Sequence, residues 1–103
     1  MIKLSVLYPR SPESTFDMDY FLEVHVPLVK DRLTPLGLQH IDVEEGLVGP
    51  TPDVPPAYAL IRSLNFETLD QLQQALNEHS AELIADIPNF TNVQPIMQVS
   101  QDR

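Results

Sequence analysis

Apolar and polar residues alternate from Ile2 to Tyr8. Ile2, Leu4, Val6 and Tyr8 fall on one side, Lys3, Ser5 and Leu7 on the other, and Pro9 and Pro12 close the run. A period of two predicts a β-strand. The spacing then becomes helical. Over residues 17–34, Met18, Leu22, His25, Val29 and Leu33 share one face, Asp17 is a good N-cap, and Phe16 and Phe21 stand at the N′ and N4 positions of a hydrophobic staple. Lys30 and Arg32 suit the negative end of the helix dipole, and Pro35 and Gly37 end the helix. Pro27 has no N–H for the carbonyl of Glu23, so the helix is expected to bend or restart near Val26.

A second strand is expected over residues 38–48, with Ile41, Val43 and Leu47 inward. Four prolines within residues 49–56 predict an irregular, partly extended loop. A third strand follows over 57–66, with Tyr58, Leu60, Leu64 and Phe66 on one face. Thr68 and Gln71 form a capping-box pattern, and Leu69, Leu72, Leu76 and Leu83 carry a second helix over 68–86, with an interruption expected near His79 and Ser80. The last strand spans 91–99, with Val93, Met97 and Val99 on one face; Pro95 demands an edge position or a bulge.

The order β-α-β-β-α-β predicts an α+β, ferredoxin-like sandwich: a four-stranded antiparallel sheet with two helices on one face, as one domain over residues 1–103. The uncovered face would hold Leu7, Ala57, Ala59, Ile61 and Ile96, too apolar for water alone. A homodimer closed sheet against sheet is therefore expected.

Charge narrows the partners. Fifteen acidic and six basic residues give a net charge of −9, which repels nucleic acid and anionic membranes. With no cysteine, disulfides and thiolate chemistry are excluded, in keeping with a reducing, cytoplasmic setting. The apolar run at the N-terminus is too short for a signal peptide, and no stretch is long enough to span a membrane. Three glycines form no phosphate-binding or dinucleotide loop, and the serines no nucleophile elbow.

His25 at the centre of an apolar helix face has two readings: a core histidine tied to a carbonyl or hydroxyl, or a group facing a ligand. In the second, a pocket between helices and sheet is walled by Phe21, Leu22, His25, Leu76 and His79, with polar groups from Tyr8, Asp86, Asn89 and Asn92. His25 would be a general base on a phenol or activated C–H, and Asn89 or Asn92 would hold the developing oxyanion unless they serve only the turn after Pro88. The resulting carbanion can meet dioxygen directly, so no cofactor is expected. Nor is a metal: His25, His79 and Asp86 lack the spacing of a ligand pair.

Phe16-Asp17-Met18-Asp19-Tyr20, His25-Val26-Pro27-Leu28 and Ala85-Asp86-Ile87-Pro88-Asn89-Phe90-Thr91-Asn92 resemble the EthD family of dimeric α+β barrel proteins, over nearly the whole chain. That resemblance implies the ferredoxin-like fold and a homodimer whose two sheets form a barrel. It also implies an association with ethyl tert-butyl ether degradation beside an oxygenase system, either as an oxidoreductase or as a non-catalytic accessory protein. Relatives sharing the barrel include cofactor-independent monooxygenases, although a fold does not fix a function. Phe21 and Phe90 stand where tyrosine is usual, which removes hydroxyls from any site there.

Overall fold

A computed structural model describes residues 1–103. Four strands, β1 (Ile2–Pro9), β2 (His40–Glu45), β3 (Tyr58–Phe66) and β4 (Ile96–Gln101), form one antiparallel sheet in the order β2-β3-β1-β4. The first helical run comprises α1 (Met18–Tyr20), a π-turn (Phe21–His25) and α2 (Val26–Leu33); the second is α3 (Leu69–Asp86). Both runs pack on one face, giving the ferredoxin-like sandwich. No helix is long and apolar enough to cross a membrane.

Local chemistry sets the boundaries. Asp17 accepts from the Tyr20 N–H at 3.0 Å, and the Phe16 and Phe21 rings lie 5.4 Å apart, so the N-cap and staple both form. A 3₁₀ turn, Thr34–Leu36, ends on Gly37, whose φ of 111° suits a residue without a Cβ. Thr68 caps α3 by accepting from the Gln71 N–H at 3.2 Å. The helix then runs unbroken through His79 and Ser80, against the interruption expected there.

The π-turn changes the expected helix face. The Val26 N–H donates to the Phe21 carbonyl, five residues back, and α2 restarts at Val26 with Pro27 in its first turn, where a missing N–H costs little. The wider turn rotates the residues before it. Phe21, not Leu22, joins His25, Val29 and Leu33 in the core, and Leu22 is 48 % exposed.

Three strands are shorter than the patterns suggested. β2 stops at Glu45; Gly46 follows, where any side chain would strike the Tyr58 carbonyl, and Leu47 beyond it faces solvent. β3 begins at Tyr58 and leaves Ala57 outside. β4 begins just after Pro95 and takes the sheet edge, as a proline there requires. Leu4, Val6, Tyr8, Leu60, Leu64 and Phe66 form the sheet's buried side, together with one charged residue, Arg62. On the uncovered side, Leu7 pairs with Ile61 and Ile96 in an apolar row, whereas the rows through Ser5 and Lys3 are polar. The apolar part of that face is therefore narrower than the sequence pattern implied.

Candidate functional site

The N-terminus of the first helical run and the C-terminus of α3 are laced together by main-chain and side-chain bonds. The Asp17 N–H donates to the Phe90 carbonyl at 2.7 Å, and the Thr91 hydroxyl to the Thr15 carbonyl at 2.7 Å. Asn92 accepts from the Thr15 N–H at 2.9 Å and donates to the Glu13 carbonyl at 3.0 Å. These bonds hold the last residue of α3, Asp86, against the π-turn.

Asp86 accepts three hydrogen bonds there. Tyr20 Oη donates at 2.7 Å and Asn89 Nδ2 at 3.0 Å to one carboxylate oxygen, and His25 Nδ1 meets the other at 2.8 Å. A carboxylate at a helix C-terminus opposes the helix dipole, so stability alone does not favour an acid at this position. Burial would raise the Asp86 pKa, but the bonds from Tyr20, Asn89 and His25 outweigh it and hold the carboxyl below its ordinary value. Asp86 is therefore an anion near neutrality, and the Nδ1 facing it carries the histidine's proton.

The His25 ring is fully buried, packed against Phe21 and Phe90 at centroid distances of 5.7 and 4.7 Å. Burial and the charge of Arg62 lower its pKa, and Asp86 only partly offsets them, so the imidazole is neutral at pH 7. Its Nε2 then presents a lone pair. That atom is buried and has no hydrogen-bond partner.

Two more unpartnered groups surround the same Phe21 ring. Arg62 is 4 % exposed, with its guanidinium carbon 5.6 Å from the Phe21 centroid and 6.0 Å from that of Tyr8. It makes no salt bridge, and its Nε and Nη1 are orphaned, as is the Tyr8 hydroxyl. Burial lowers the Arg62 pKa and raises that of Tyr8, each partly offset by the closeness of the other, but a guanidinium remains a cation. Cation–π contact supplies about 0.5–2 kcal/mol. The penalty for a buried, unpaired charge is several kcal/mol, so the two rings do not balance it.

Arg62 reaches a cavity of about 210 Å³ between α3 and the sheet, otherwise walled mainly by aliphatic side chains such as Leu4, Val6, Leu76, Leu83 and Met97. His25 is not on its wall; Val29, one helical turn later, and Arg62 are. Of the residues expected at the site, His25, Asp86, Asn89, Phe21 and Tyr8 gather in one place, and Leu76 lines the cavity. Leu22 faces solvent because of the π-turn. His79 lies beside Glu78 at 3.9 Å and lines no cavity. Asn92 spends its amide on the 13–15 backbone and borders two open surface grooves, one of them shared with Asn89. No three His, Cys, Asp or Glu side chains gather as metal ligands. Arg62 and Tyr20 escaped the sequence reading, although alternation through Leu60 and Leu64 places Arg62 on the buried face.

The strand order and single helical layer define a ferredoxin-like α+β protein. A DABB family protein with that fold from Mesorhizobium loti superposes with a TM-score of 0.57 at 12% identity, covering 99% of this chain and 96% of its own, a likeness of fold alone. Much nearer is an EthD-like protein from Ralstonia eutropha, at 33% identity over 97% of this chain and 89% of that one, with a TM-score of 0.90. The chain belongs to the EthD-like family. An ethyl tert-butyl ether degradation family protein from Bacillus halodurans has a TM-score of 0.75 at 19% identity, covering 100% of this chain and 99% of its own. No protein-family model matches the chain, and no curated protein does.

Proposed function

We propose that the chain binds a small, mostly apolar organic compound between α3 and the sheet, with His25 as the base that removes a proton from it. The buried, unpartnered Nε2 of His25, opposite an Nδ1 held by Asp86, carries this reading. The large majority of buried side-chain polar atoms are paired, so a bare Nε2 is unusual for a purely structural histidine. An Asp–His pair fixes the tautomer and steadies the imidazolium that forms when Nε2 takes the proton. In the reading as an oxidoreductase, the substrate carbanion gives its electron pair to dioxygen. The hydroperoxide then loses water, so that CH₂ and O₂ become C=O and H₂O.

Because His25 is not on the cavity wall, substrate reaches Nε2 only when a wall side chain such as Arg62 moves. The alternative, a non-catalytic binding or accessory protein of an oxidative degradation system, uses the same cavity with no proton transfer. Pairing of two copies through the Leu7, Ile61 and Ile96 row belongs to the proposal, supported by partly exposed Leu7 and Ile61 and half-exposed Ile96 on an uncovered sheet.

Deuterium exchange of a panel of phenols and ketones tests the base. Exchange by the parent and its loss in a folded His25→Gln support the enzyme. Binding without exchange supports the accessory role.

A further inference from the structure

Arg62 is a cation in an apolar chamber with no counter-ion. It pairs across the sheet with Val6 on one side and Val43 on the other, so its neighbours in the row are hydrocarbon. Its Nε and Nη1 are buried and unpartnered, and the side chain reaches a cavity otherwise walled mainly by aliphatic groups. Asp86, the acid beside His25, is committed to Tyr20, His25 and Asn89. A chain with a net charge of −9 has fifteen acidic side chains to offer, and none pairs with this arginine.

We propose that Arg62 is the receptor for a negatively charged oxygen group on the ligand, so that the site takes small apolar carboxylates. The guanidinium has the donors for a carboxylate, and the aliphatic walls take the remainder of the molecule. The Tyr8 hydroxyl, buried beside Arg62 and without a well-formed hydrogen bond, is a second donor for the same anion. This assignment rests on the cavity reading above but not on His25 acting as a base.

Hexanoate and its neutral counterpart 1-hexanol are the probes, read by melting shift and titration calorimetry on the full chain. The parent protein is expected to bind hexanoate at least tenfold more tightly than hexanol. Arg62→Met should lose that preference while melting no lower than the parent, because it removes a buried unpaired charge. Arg62→Lys should keep part of the preference. Equal affinity for the two probes, or no binding of either, in the parent overturns the proposal even if Arg62→Met does not fold. So does an undiminished preference in a folded Arg62→Met. His25→Gln should still bind hexanoate. Hexanoate binding by a parent that exchanges no deuterium would leave Arg62's role standing and remove that of His25.

Discussion

His25 and Asp86 meet at 2.8 Å across the joint between the π-turn and the end of α3, 61 residues apart in the chain. The acid is held ionised by two further donors, Tyr20 and Asn89, and the base is left with one free nitrogen. This arrangement fixes a proton on one side of an imidazole and leaves the other side unpaired.

Asp86→Ala should destabilise the fold mainly through His25, whose Nδ1 would be left buried and unpaired, because Tyr20 and Asn89 can turn to water. The expected cost is about 1–3 kcal/mol. At roughly 4–8 °C per kcal/mol for a domain of this size, calorimetry should show a clear drop in Tm. No change in Tm would mean that the bond is incidental.

Stability should fall in acid in two stages. The folded His25 pKa lies below its ordinary 6.5, so the unfolded chain binds a proton that the native chain does not. This contribution is intact above pH 6.5 and is lost as pH drops toward the folded value. Asp86, held below its ordinary 3.8, contributes above that pH and loses its contribution as pH falls further toward its own folded value. Thermal melts across pH should show both slopes, and His25→Gln should flatten the upper one. An unchanged upper slope in that variant would assign it to other groups.

The π-turn predicts unlike effects at adjacent positions. Phe21→Ala removes a fully buried ring and should cost about 3–5 kcal/mol, whereas Leu22→Ala, on the solvent side, should change stability by less than about 0.5 kcal/mol. Urea unfolding of the two variants decides the register. Comparable losses would restore the uninterrupted α-helical face.

Much of this was legible in the sequence, for identifiable reasons. Asp17, Thr68, Gly37 and Pro95 act through local chemistry, which a single chain displays, and they fall where their residue types require. Leu22 was misplaced because a face drawn at 3.6 residues per turn cannot include one wider turn, even with Pro27 marking the spot. Arg62 was visible in the β3 alternation, but its lack of a counter-ion is a property of the folded neighbourhood. Asp86 and Asn89 stood in a recognisable segment, whereas their union with His25 depends on the lacing of residues 13–17 to 90–92.

Nitrogen-15 NMR of the His25 ring at pH 7 reports the proton on which the proposed chemistry turns. A neutral ring with Nδ1 protonated and Nε2 bare is the expected spectrum, with the Nδ1–H signal perturbed in Asp86→Ala. A proton found on Nε2, or an imidazolium at that pH, would leave no lone pair facing the substrate and would contradict His25 as the base.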